Sequence, residues 1–345
     1  MQAYDSGLHT QAAWKAATER TIIQHWRGTP TTLLDIEQSV ERAVTFQRDL
    51  GCEAIILPSP LTNDHASDYA RESEWLEVGA ERCAAIAPGL PALATIAISD
   101  TCLRGFAPQE NTLIDIILDQ VTARAPDGAY IVLEQANEVT YNCTSANTVG
   151  ALLRLVQGLK AGGLRRVIVS YAGTAGLLAL IAGADAWATG WYRGERRLRL
   201  SDIEQSEGRA MPAYYSHPAA TEFHLANDLS RVRDAGMLTL IRDETAHSAN
   251  LLAALDAGRV PHDVAQWQPR PSNVTAARAH FATAMIRETA LIGGLDEADQ
   301  IAYGSSWLGG ARNAATALYQ IGGFNQRTEL DHQRAWREAF AGVFG

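Results

Sequence analysis

Five short apolar runs, separated by segments of helical periodicity, constrain this chain more than any other feature. They are EAIILPSP (53–60), PALATIAISD (91–100), AYIVLEQ (129–135), RRVIVSYAG (165–173) and ADAWATGW (184–191). Strands apolar at nearly every position must be covered on both faces, and helices between them make parallel crossovers the natural connection. The helices are read at 66–89, where Leu76, Ala80, Cys83 and Ala87 share a face, and at 111–124, 145–162 and 174–183. An α/β fold follows. MPAYYSHP (211–218) offers a sixth strand, and RTIIQHW (20–26) or GMLTLIRD (236–243) further ones. The expected architecture is therefore an irregular (β/α)8-like, TIM-type barrel rather than an open doubly wound sheet.

Two helices precede the first strand. One runs from Thr10, a capping residue, to Gly28; the second covers 31–51, with Leu33, Ile36, Val40 and Val44 in one apolar stripe. After about residue 240 the texture changes to alanine-rich, helix-favouring segments at 247–258, 272–294, 305–323 and 331–345. The division expected is a barrel-like domain over 1–240 and a helical C-terminal region over 241–345, with VPHDVAQWQPRPSN (260–273) as the hinge.

Composition limits the partners. With 345 residues, 47% of them hydrophobic, the chain can bury a large core. A formal net charge of −10 opposes broad attraction to nucleic acid or an anionic membrane, so neither is a favoured partner. No run approaches the ~20 apolar residues of a membrane span, and the N-terminus has no apolar signal core, so a cytoplasmic location is expected. Cys52, Cys83, Cys102 and Cys143 are scattered without a CxxC pair and read as free thiols.

In a parallel α/β fold chemistry gathers at the C-terminal ends of the strands. Those ends carry Ser59 and His65, then Asp100, then Glu134 and Gln135, then Tyr171, then Gly190, Tyr192 and Arg193, and finally His217. Asp100 and Glu134 are the candidate acid–base pair, with His217 as a third catalytic candidate. The competing reading makes Asp100 a loop cap and Glu134 the partner of an arginine. Ser59, His65, Gln135 and Tyr171 are candidate substrate contacts. No HxH or HExxH spacing supports a metal, and the sequence names no cofactor.

The stretch SYAGTAG turns a strand into a helix around Gly173, Thr174 and Gly176, and exposed N–H groups at such a turn can hold an anion. WYRGERRLRL (191–200) adds Arg193, Arg196, Arg197 and Arg199, either to orient a phosphate or to pair with acidic residues. Residues 167–200 resemble a segment of the tRNA-guanine transglycosylase superfamily, a (β/α)8 barrel family. Gly173 and Thr174 match its glycine-threonine turn, Gly183 to Asp185 its strand start, and Trp187 an aromatic position. Ala188 stands where the family carries its nucleophilic aspartate, and the zinc-binding cysteine and histidine cluster is absent. The resemblance thus implies the fold and a pocket of base or ribose-phosphate size, without the base-exchange chemistry.

Two functions follow as expectations. One is an enzyme, a transferase or hydrolase, acting on a phosphorylated or nucleobase- or ribose-like small molecule in a barrel pocket. The other is a catalytically degenerate barrel that binds a protein partner, or a second copy of itself, through its C-terminal helices.

Overall fold

The computed structural model describes residues 33–138, 140–190, 193–200, 211–325 and 328–345. The helix expected from Thr10 to Gly28, the strand RTIIQHW and Tyr192 lie outside these. The first described helix, α1 (Leu33–Asp49), buries Ile36, Val40, Ala43, Val44 and Gln47 against α2 (Ala70–Ile86). Leu33 does not join that stripe; it is 53% exposed, and Ala80 is likewise exposed on α2.

The first apolar run makes two short strands, because Pro58 and Pro60 cannot donate ladder hydrogen bonds. β1 (Ile55–Ile56) and β2 (Leu61–Thr62) both lie along β3 (Ala92–Ser99), at its two ends. β3 pairs with β4 (Gly128–Glu134), β4 with β5 (Arg166–Ser170) and β5 with β6 (Ala186–Ala188), every pair parallel. The crossovers carry α2, α3 (Thr112–Arg124), α4 (Ala146–Ala161) and the short α5 (Gly176–Ile181). Ser145 caps α4 by accepting from Thr148 N at 3.2 Å.

Strand order in space follows chain order without the reversal that defines a doubly wound sheet. The described strands form a curled parallel half-barrel of five positions, short of the eight of a closed TIM barrel. Strand alternation splits its side chains between two cores. Ala94, Ile96, Ile98, Ala129, Ile131, Leu133, Val167 and Val169 meet the helices, while Leu93, Ala97, Tyr130, Val132 and Ile168 line the concave face with Tyr171 and Leu198.

Beyond β6 the parallel pattern stops. MPAYYSHP does contain a strand, β7 (Ala213–Ser216), but it pairs antiparallel with β8 (Thr221–His224) in a hairpin separate from the sheet. GMLTLIRD is not a strand: its centre forms the short helix α7 (Leu238–Ile241), between α6 (Asp228–Asp234) and α8 (Ala249–Asp256). These helices, the hairpin and Trp267 share a second core containing Tyr214, Phe223 and Leu229, which Ala277 and Leu318 also enter from further along the chain.

Three long helices follow: α9 (Val274–Gly293), α10 (Glu297–Ile321) and α11 (His332–Phe344). Phe281, Trp307, Trp336 and Phe340 from them enter the same core as the strands. α11 packs on α4 and α10, and Trp336 donates from Nε1 to Cys143 O at 2.9 Å across 193 residues of chain. Among the described residues no helix is long and apolar enough to cross a membrane. All four cysteines are free thiols, with Cys83, Cys102 and Cys143 buried.

Candidate functional site

Because β3 to β6 run parallel, their C-terminal ends share one edge of the sheet. Register pairs Ser99 with Glu134, so Glu134 continues the concave series of Tyr130 and Val132, while Asp100 falls one residue beyond the strand, in a 3-10 turn. Asp100 is fully buried and accepts from Asn137 N at 3.2 Å and Asn137 Nδ2 at 3.0 Å, with Arg104 Nη1 at 3.8 Å. Burial pushes its carboxyl group above the ordinary range, against the Asn137 bonds and Arg104. Arg104 reaches on to Glu138 at 3.1 Å, which takes Thr144 N at 3.0 Å and Thr144 Oγ1 at 2.9 Å. Asp100 thereby staples the loop after β4 to the end of β3.

Glu134 is 7% exposed, and among the described residues no hydrogen bond or ion pair reaches its carboxylate. A buried charge without a partner is costly to maintain. Gln135, next in the chain, is fixed by its N–H to Leu198 O at 2.8 Å and reaches Tyr171 O at 3.5 Å through Nε2, leaving Oε1 buried and without a partner. Thr95 Oγ1 on β3 and Thr189 Oγ1 past the end of β6 are buried without partners as well. Tyr171 sits at φ 61°, a left-handed conformation that costs a non-glycine residue about 1 kcal/mol. Ser59 is buried with Oγ to Pro60 O at 3.3 Å, whereas His65 lies in an exposed loop with its ring 5.2 Å from that of Phe106.

The glycine turn and the arginine loop fold onto each other. Gly173, at φ +56°, donates its N–H to Arg196 O at 2.8 Å, and Thr174 Oγ1 donates to Asn142 Oδ1 at 3.3 Å. Gly190 is required by close approach, since a β-carbon there would lie 2.0 Å from Glu195 Cβ. Arg193 Nε is 2.8 Å from Glu222 Oε2 and its Nη2 is 3.6 Å from Glu329 Oε1. Arg196 Nη1 is 2.7 Å from Glu222 Oε1, and its guanidinium stacks 3.4 Å over the Phe281 ring. Burial alone would raise the pKa of Glu222, but Arg196 and Arg193 hold it below the ordinary carboxylate value. Glu329 also accepts from Tyr141 N at 2.7 Å and Asn142 N at 2.9 Å. The turn N–H and both arginines are thus engaged inside the protein, the acid-pairing alternative for the loop.

His217 lies in the β7–β8 turn, 8% exposed, its ring stacked on Trp307 at 4.8 Å. Its Nε2 is 2.9 Å from Tyr303 Oη on α10 and 3.2 Å from Glu288 Oε2 on α9. Tyr303 donates to the same Glu288 oxygen at 2.5 Å, while Arg287 holds the other oxygen at 2.6 Å and Asp243 Oδ1 at 2.9 Å. Asp243 in turn accepts from His217 N at 3.0 Å. Burial lowers the proton affinity of His217, and it raises the Tyr303 hydroxyl, reinforced by the bond to Glu288. Sequence reasoning found His217 and missed Glu288, Tyr303, Asp243 and Arg287, as it missed Glu222 and Glu329. No group of three or more His, Cys, Asp or Glu side chains among the described residues is placed to hold a metal ion.

Comparison with protein-family models, with curated proteins and with solved structures finds no match to this chain.

Proposed function

We propose that the chain is an enzyme acting on a small molecule rich in hydrogen-bond donors, of the nucleobase or ribose type, at the C-terminal rim of a (β/α)8-type barrel. One observation carries this reading: the partnerless carboxylate of Glu134, a residue only 7% exposed, beside the buried open acceptor Oε1 of Gln135. Buried polar groups left unsatisfied in a folded protein are rare, and functional sites are where they collect. Glu134 is the proton acceptor in this reading, and the carbonyl oxygen of Gln135 receives ligand N–H or O–H groups. The resemblance to the transglycosylase superfamily supports the kind of pocket and supplies no nucleophile. Arg193 and Arg196, neutralised by Glu222 and Glu329, favour an uncharged ligand over a phosphorylated one.

The test is Glu134→Gln, followed by thermal unfolding with and without guanine, adenine, ribose and ribose 5-phosphate. Removing an unpaired charge from this nearly buried side chain should raise Tm by about 1–2 °C, the shift expected for about 1 kcal/mol in a chain of this size. Any ligand-induced stabilisation seen in the parent protein should disappear. A fall in Tm would mark Glu134 as structural, and unchanged ligand stabilisation would remove it from the site.

An assembly role draws support from α9, where Ile286 is 70% and Leu291 46% exposed. If Ile286 lies in a joint between two copies, Ile286→Lys should convert dimer to monomer in sedimentation velocity. A parent protein already monomeric at high concentration rejects self-association.

A further inference from the structure

We propose that His217, Glu288, Tyr303 and Tyr215 form an acid–base centre, separate from Glu134, that accepts a proton from a hydroxyl group bound at His217 Nδ1. Proton counting supplies the first step. Tyr303 has one hydroxyl hydrogen, and it goes to Glu288 Oε2 at 2.5 Å. Towards His217, 2.9 Å away, Tyr303 Oη therefore accepts, and so does the Glu288 carboxylate. Nε2 must carry the hydrogen, which leaves neutral His217 with its lone pair on Nδ1.

That nitrogen is buried and has no partner. Tyr215, on β7 just before the turn, is 1% exposed with its hydroxyl also unpartnered, and Glu288 and Tyr303, which hold His217, also act on that hydroxyl, adding to the rise that burial causes in its pKa. Tyr215 packs edge-on to Phe281 of α9, as His217 packs face-on to Trp307 of α10. Nδ1 needs a donor and Tyr215 Oη can give a hydrogen, so an O–H group, which donates and accepts at one atom, satisfies both. A carboxylate or a fully ionised phosphate group cannot donate to Nδ1, and an ammonium cannot accept from Tyr215.

The charged and titratable groups around His217 suit proton transfer. Glu288 and Arg287 face it from α9, Tyr303 from α10, and Asp243 from the segment after α7. When the hydroxyl proton passes to Nδ1, the electron pair stays on oxygen, and the imidazolium formed has its Nε2–H against the Glu288 carboxylate. This is the geometry by which a carboxylate orients and supports a histidine base. The hydroxyl can be that of a bound water or of an alcohol ligand.

Nitrogen-15 NMR of histidine-labelled full-length protein separates the outcomes. The expected spectrum at pH 7.5 shows His217 as the Nε2–H tautomer, assigned by its loss in His217→Gln. Its Nδ1 resonance should carry the upfield displacement of a hydrogen-bonded acceptor, and Tyr215→Phe should reduce that displacement. If it is present in buffer alone, the hydroxyl is a bound water. If it grows saturably on adding glycerol or ribose, the hydroxyl belongs to an alcohol ligand. An Nδ1–H tautomer, or a bare Nδ1 unmoved by either probe, overturns the proposal. Glu288→Gln supplies a readout independent of folding losses at His217, since it should make His217 harder to protonate and shift its titration to lower pH.

Discussion

Replacing Arg196 with methionine is expected to destabilise the protein by about 3–5 kcal/mol, the range for breaking a buried ion pair from one side. Arg196 is 8% exposed, and its partner Glu222 shares its two carboxylate oxygens between Arg196 and Arg193. Methionine keeps much of the packing over Phe281 but strands half of the Glu222 charge. The double variant Arg196→Met/Glu222→Leu should recover most of the loss, because an apolar pair of similar volume carries no desolvation penalty. Urea unfolding followed by tryptophan fluorescence measures both. A near-neutral single variant that instead loses stabilisation by ribose 5-phosphate would return the arginine loop to an anion-binding role.

Acidification should begin to destabilise the protein above the pH at which ordinary carboxylates titrate. His332 is fully buried on α11, with Nε2 2.8 Å from Ala220 O, and burial pushes its pKa down from 6.5 to about 4. The unfolded chain therefore binds a proton that the folded one refuses. Stability is complete above about pH 6.5, falls as pH drops towards 4, and levels off below the folded value. For His332 alone the full loss is roughly 3 kcal/mol. His217 and His280, lowered chiefly by their burial, act in the same direction. All three fasten one hairpin: His280 Nε2 is 2.7 Å from Tyr215 O, and His217 lies in the turn itself. Urea unfolding at pH 7.5 and 4.5 should show the decline, and His332→Gln, which keeps a donor without the titration, should flatten it by about 2–3 kcal/mol. An unaltered pH dependence in that variant would assign the decline to other groups.

Periodicity sufficed for the half-barrel because each βα unit is local: the apolar run, its helix and the next run pair with neighbours in the chain. It failed where tertiary context decides. The segment LTLI in α7 has the β-branched, apolar composition of a strand yet makes one helical turn, with only Ile241 buried. The strand TEFH was overlooked although Thr221 and Phe223 alternate with less buried Glu222 and His224, a period-two signal too short to stand out. Among the site residues, Glu134 and His217 were legible as chemical groups at strand ends. Their surroundings were not, because Glu288 and Tyr303 reach His217 from two helices 71 and 86 positions further along. The arginine loop admitted two readings, and the choice rested on Glu222, 26 positions away from Arg196.

The bond between Trp336 and Cys143 sets a clock on synthesis. At ~5–20 residues per second, the 193 positions between them take roughly 10–40 s to translate. The strands of the half-barrel can pair in the order in which they emerge, but the outer face of α4 waits for α11 through that whole interval. A nascent chain stalled in between leaves the apolar face of α4 that α11 will cover open to solvent.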